Sequence, residues 1–197
     1  MSLDAIYVST HLGHRFYPQA PCIEDVAIED IAHGLAFQCR FNGQTQHFYS
    51  VAQHSLMVAA LVPRRLALAA LLHDAAEAYL GDMVKPLKGL FPEFSRIEAA
   101  VMAIIGERFG VTGFDHRLIK RADLIALATE KRDLMPNSSE PWSPLAGVVP
   151  LPTRIEVVSP LSAKQQFLGE FQLLSGDGTF SVAAWAPVTP ADAGVTV

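Results

Sequence analysis

Leu66-Ala67-Leu68-Ala69-Ala70-Leu71-Leu72-His73-Asp74-Ala75-Ala76-Glu77-Ala78-Tyr79-Leu80-Gly81-Asp82 is the stretch that decides the fold of this chain. Ala and Leu, both strong helix formers, fill most of it, and neither Gly nor Pro interrupts it before Gly81. A helix that is apolar nearly all round is buried on most sides. Yet His73, Asp74, Glu77 and Asp82 fall near its C-terminal end, and burying a charge is costly unless something pairs with it. Read as one helix, the stretch carries Glu77 four residues after His73 and three after Asp74, so the three project roughly one way. An imidazole and two carboxylates converging in an apolar helix are most simply explained by a metal ion. One helix cannot surround a cation, so further ligands must come from elsewhere. A single core histidine with a satisfied hydrogen bond, next to an acid by chance, is the competing reading.

The 197 residues suggest one domain, 1–197, with a core over about 28–134 and a loop, helix and tail over 135–197. Half the residues are hydrophobic and 18% are charged, which is ample for a core. The net charge of −5 argues against a nucleic-acid polymer as partner but leaves room for a small phosphate pocket. No run of about eighteen apolar residues lacks charge, so no membrane span is expected. No basic segment followed by an apolar one opens the chain, so no secretory signal is expected either. Cys22 and Cys39 form neither a disulfide framework nor a Cys-x-x-Cys pair, which fits a reducing cytoplasm.

Outward from the Ala-Leu stretch, the preceding segment predicts a helix from Ser50 to Leu61, ended by Pro63. Val51, His54, Val58 and Leu61 share its inner stripe. The connection Val62-Pro63-Arg64 is short, which makes the two helices antiparallel neighbours and lets His54 face His73. Before it, Ile28, Ile31 and Leu35 mark a helix running to about Arg40, stopped at Asn42-Gly43. His33 within it reads as an ordinary packed or surface residue, and His11 and His14 lie in a Gly- and Pro-rich loop. Tyr7 to Thr10 is a possible short strand, with Phe16 and Tyr17 covering the core or a pocket mouth. After Asp82, Lys85 and Lys88 fall in a loop marked by Pro86 and Gly89.

Further on, Glu93 to Phe109 is amphipathic and closed by Gly110, and a helix from about Asp115 to Leu134 carries Asp123 in its apolar stripe. Asp123 is either paired with Lys120 or recruited by a cation. The Pro- and Ser-rich segment 136–152 reads as a loop and Ile155–Val158 as a short strand. Leu161–Leu174 reads as a last helix, and Phe180–Trp185 as an extended segment in a loose tail. The fold class is thus all-α, a compact bundle of about six helices with short extended segments at its two ends.

His54, His73, Asp74 and Asp123 therefore supply two imidazoles and two carboxylates from three helices. Such a set suits Mn, Co, Fe or Zn better than Mg or Ca alone, although Mg fits as an additional ion. In this order and spacing, with the contexts Ser50-Val51-Ala52-Gln53-His54-Ser55-Leu56 and His73-Asp74-Ala75-Ala76-Glu77-Ala78-Tyr79-Leu80-Gly81-Asp82, the chain resembles the HD-domain phosphohydrolases. Within them it is most similar to the branch of bacterial 5′-deoxyribonucleotidases and deoxynucleoside triphosphohydrolases. The resemblance covers about residues 28–134. It implies that His54, His73, Asp74 and Asp123 hold the metal and that Glu77 orients or activates the attacking water, with protonation of the leaving oxygen as a further role. It further implies that Asp82 accepts from a sugar hydroxyl, that Arg40 clamps the scissile phosphate and that Phe41 stacks on a base. Lys85, Lys88 and Lys120 are implied contacts for further phosphate oxygens. The expected activity is metal-dependent phosphoester hydrolysis of (deoxy)nucleotides, monophosphates first and triphosphates as the alternative, by a homo-oligomer. A nucleotide-sensing module without chemistry and an alarmone hydrolase are the remaining alternatives.

Overall fold

Hydrophobic periodicity becomes helix almost throughout the computed structural model, which describes residues 6–176. A two-stranded hairpin of β1 (Val8–Ser9) and β2 (Arg15–Phe16) comes first. There follow α1 (Ile28–Phe37), α2 (Val51–Ala60), α3 (Arg64–Leu71), α4 (Glu77–Leu80), α5 (Lys85–Lys88), α6 (Pro92–Phe109), α7 (Arg117–Leu134) and α8 (Pro160–Ser175). The architecture is all-α, with six helices of eight residues or more and two single turns among the described residues. The segment 180–185 lies outside them. No helix among the described residues is long and apolar enough to cross a membrane.

Local chemistry sets the helix ends. Ser50 caps α2 by accepting from the Gln53 N–H at 3.1 Å. Gly110, at φ +65°, supplies the left-handed residue that closes α6. Pro160 at the first position of α8 follows a Ser159 cap. Helix α2 is the hub, packed against α1, α3, α7 and α8. Its inner residues Val51 and Val58 join Ile31, Leu35, Leu71, Ile105, Ile119 and Phe167 in the core, none more than 1% exposed. Burial of each such side chain stabilises the fold by about 1.5–3 kcal/mol. The hairpin antiparallel pair Val8–Phe16 brings Phe16 onto Tyr79 of α4, ring centroids 3.9 Å apart.

Four expectations are corrected. The Ala-Leu stretch is not one helix to Leu80: α3 ends at Leu71, and 72–76 wind as tight turns before α4. The His73 ring is the cause. Its Nδ1 lies 2.7 Å from the Ala70 carbonyl oxygen, the acceptor a continuing α-helix would give to the backbone N–H four residues on. The backbone then bonds three residues back, as in Ala75 to Leu72 at 3.0 Å and Glu77 to Asp74 at 2.9 Å. Second, α1 stops at Phe37 rather than Arg40, because the Arg40 N–H donates to the Tyr49 carbonyl at 2.9 Å and Cys39 pairs with Ser50. Arg40 instead opens a 3₁₀ turn, Arg40–Gly43. Third, Lys85 and Lys88 sit on the single turn α5, not in a loop. Fourth, Ile155–Val158 is no strand. Side chains take its backbone groups: Asp133 accepts from the Ile155 N–H at 3.0 Å, and Gln53 accepts from the Val158 N–H and donates to the Glu156 carbonyl.

Helix α4 is held close to α1. A Cβ on Gly34 would stand 2.8 Å from the Ala78 carbonyl oxygen and 2.9 Å from its Cα. Backbone cannot give way as a side chain can. Gly34→Ala therefore costs about 1–3 kcal/mol of overpacking, more than the roughly 1 kcal/mol that replacing a mid-helix glycine otherwise gains. A lower urea midpoint with an unchanged slope is the expected result.

Candidate metal centre

Two histidines meet where α2 faces the turn after α3, ring centroids 5.3 Å apart. His54 is fully buried, with Nδ1 2.7 Å from Glu130 Oε1 on α7. His73 directs its own Nδ1 to the Ala70 carbonyl. A carbonyl and an ionised carboxylate only accept, so both rings place an Nδ1 proton on these partners and turn Nε2 inward. Both Nε2 atoms are buried without a hydrogen-bond partner. Into the same space come Asp123 Oδ1, 3.3 Å from His54 Nε2, and Asp74 Oδ2, 3.6 Å from His54 Nε2 and 3.1 Å from His73 Nε2.

One ligand atom from each of His54, His73 and Asp123 lies within 4.8 Å of the others, so these three could hold a metal ion. Bonds of about 2.0–2.2 Å to one centre separate neighbouring ligand atoms by roughly 3–3.5 Å, close to the 3.1–3.6 Å between the two Nε2 atoms and the facing carboxylate oxygens. The two orphaned Nε2 atoms are what a cation would satisfy. Asp74, from the same turn as His73, adds its oxygen at the edge of this group.

Electrostatics agree. Burial opposes ionisation of Asp74, but His73, His54 and Arg40 hold its carboxyl far below the usual carboxylate range. Asp123 is likewise depressed against burial, through its contact with His54. Glu77 goes the other way. It is 5% exposed, and burial, with Asp74 and Asp82 adding to it, drives its pKa well up. Asp82 is raised too, by burial first and then by Asp74, against the pull of Arg40.

The remaining sequence-designated residues divide. Lys88 Nζ is 3.7 Å from Glu77 Oε1 and 2.6 Å from Glu98. Lys85 Nζ is 3.6 Å from Asp123 Oδ2. Lys120 does not pair with Asp123: its amine lies 3.9 Å from Asp115, both largely exposed. Lys85 and Lys120 line a cavity of about 480 Å³ with His73, Asp123, Met102 and Phe114. Arg40 is turned inward, Nη2 donating to Glu130 Oε2 at 3.1 Å and Nη1 3.9 Å from Asp74. Phe41 and Asn42 adopt φ +55° and +51°, rare for residues with a Cβ. Phe41 packs over the Arg40 guanidinium and toward Trp142, 5.9 Å between centroids, and it is not among the cavity-lining residues.

Two participants escape the sequence reading. Glu130 is fully buried beneath His54 and Arg40. The available signal is its position seven residues, two helical turns, after Asp123. Gln38, with its amide nitrogen turned to the Glu77 carbonyl at 3.0 Å, accepts from the Asp82 N–H and pins both ends of α4.

No protein-family model matches the chain. It is similar to the uncharacterized protein YfdR of Escherichia coli (strain K12), 40% identical over 171 residues that span 86% of this chain and 96% of that protein. It is also similar to an uncharacterized protein of Rhodobacter capsulatus, 40% identical over 136 residues, 62% of this chain and 69% of the other.

Proposed function

This chain belongs to the family of the Escherichia coli protein YfdR, and from the site itself we propose its function: metal-dependent hydrolysis of (deoxy)nucleotide phosphoesters, in the manner of the HD-domain phosphohydrolases. One observation carries this reading. Two histidines on separate elements have Nδ1 committed to acceptors, and their unpartnered Nε2 atoms face carboxylate oxygens at 3.1–3.6 Å. Two nitrogen and two oxygen donors favour Mn, Co, Fe or Zn. When bound, such an ion would polarise a phosphoryl oxygen and acidify a water.

The chain's own groups supply the rest. Glu77, which has one buried oxygen unpartnered, would take a proton from the attacking water. Lys88 beside it offers positive charge to a phosphoryl group. Arg40 contributes its charge from beneath, through Asp74, rather than as an exposed clamp. Asp82 is left as the acceptor for a sugar hydroxyl. The apolar wall of Met102 and Phe114 offers a surface for a base or sugar.

Monophosphates are the substrates proposed first. A second reading, hydrolysis of deoxynucleoside triphosphates, is favoured by the placement of Lys85 and Lys120 along the cavity, where phosphates farther from the centre would reach. A panel of nucleoside mono- and triphosphates and a guanosine tetraphosphate alarmone, incubated with Mn or Co, tests the proposal. Chromatography is expected to show nucleoside and orthophosphate from monophosphates. Release of intact triphosphate would establish the second reading, and product from the alarmone alone would redirect the substrate class. Tight nucleotide binding without product over hours would replace hydrolysis with sensing.

A further inference from the structure

Glu130 has no part in the chemistry just described, yet it is the most completely shielded acid near the centre, 0% exposed on α7. A carboxylate so placed is tolerated only where its oxygens are paired. Both are: Oε1 lies 2.7 Å from His54 Nδ1, and Oε2 accepts from Arg40 Nη2 at 3.1 Å. Each partner also reaches a carboxylate of the cluster. His54 Nε2 is 3.3 Å from Asp123, and Arg40 Nη1 is 3.9 Å from Asp74. Through Glu130, the 40–43 turn, α2 and α7 are tied together directly behind the ligand atoms.

Resting on the metal-centre reading, we infer that Glu130 is the positioning residue of the centre. One of its oxygens holds His54 in the tautomer and rotamer that present Nε2 to the ion, and the other anchors the Arg40 guanidinium against Asp74. A backbone carbonyl already fixes the tautomer of His73. A carboxylate at His54 does more, because its charge makes the imidazole a better donor. It also accounts for the inward course of Arg40. The backbone departs into left-handed φ at Phe41 and Asn42 just where the guanidinium turns to Glu130.

Glutamine at 130 keeps the volume but offers one accepting oxygen, so its NH₂ must face either the Arg40 or the His54 donor. In Glu130→Gln, binding of Zn, Mn or Co measured by calorimetry is expected to weaken by about 10–100-fold. In zinc-loaded protein with ¹⁵N-labelled histidine, the His54 Nδ1 proton is expected to shift and to exchange faster. Circular dichroism and thermal unfolding accompany both measurements. A folded variant with unchanged affinity and an unchanged His54 signal would overturn the inference. Should Glu130→Gln not fold, Glu130→Asp decides. It keeps the charge but is one methylene too short to reach both partners, and affinity equal to the unsubstituted protein would again overturn it. If the unsubstituted protein binds none of the three ions, the centre itself is refuted and the role of Glu130 with it. That result is distinct from a variant that binds as tightly as its parent.

Discussion

Asp74→Ala is expected to abolish nucleotide turnover, with kcat/KM falling by at least about 10³-fold, roughly 4 kcal/mol of transition-state stabilisation. Asp74 Oδ2 faces both inward nitrogens, 3.1 Å from His73 Nε2 and 3.6 Å from His54 Nε2. Its removal takes away a carboxylate of the proposed centre, the acid that sits 3.9 Å from Arg40. About a quarter of the side chain is exposed, so the fold should survive, which thermal unfolding checks. Elemental analysis after dialysis should show lowered metal content alongside the lost phosphate release. Full activity of the variant in metal-stripped buffer would refute the centre.

The same cluster predicts the pH dependence of metal binding. Burial and Arg40 both work against protonation of His54, but Glu130 and Asp123 overcome them and lift its pKa to about 9. At neutral pH and without an ion, a proton therefore supplies part of the positive charge the carboxylates demand. A divalent ion must displace it. Binding should release about one proton and strengthen by up to about tenfold per pH unit until pH ~9 is approached. Calorimetry in two buffers of different ionisation enthalpy counts that proton.

The helical scaffold was legible where one rule sufficed. The stripe Phe94, Ile97, Val101, Ile105 and the stop at Gly110 locate α6 within one residue at its start. His54 was legible as an inward residue because Val51 and Val58 flank it at helical spacing. The break at His73 was not, because it depends on a side-chain contact with Ala70 and not on composition: every residue from Leu72 to Ala76 other than His73 and Asp74 favours helix. Arg40 resembles a surface cation in its Phe-Asn-Gly surroundings. Its partner Glu130 is ninety positions away in the chain, a pairing no local pattern records. Glu130 in turn hides in the run Thr129-Glu130-Lys131-Arg132-Asp133, which has the look of a solvated face. Lys120 and Lys85 exchange expected places for the same reason. Helical spacing offers Lys120 to Asp123, but the chain after Asp82 folds back and delivers Lys85.

Glu77→Gln is expected to lower kcat by about 10²–10⁴-fold while leaving the bound metal in place. The substitution is isosteric and touches none of His54, His73, Asp74 or Asp123, so unchanged metal content separates it from Asp74→Ala. What it removes is the capacity to take a proton. Glu77 has one buried oxygen without a partner and the other 3.7 Å from Lys88. Burial, then Asp74 and Asp82, outweigh Lys88 and Arg40 in raising its pKa. A group that must be ionised to act as base, yet holds its proton unusually tightly, gives a rate that climbs as pH rises. In the glutamine variant that acid limb should flatten, because amide nitrogen does not titrate there. A residue acting instead as the proton donor to the leaving oxygen gives the opposite sign, with rate falling as pH rises through the same pKa. The pH–kcat profile of the two proteins, taken with Mn or Co saturating, therefore assigns the role. An unchanged kcat across that range would remove Glu77 from the chemistry altogether.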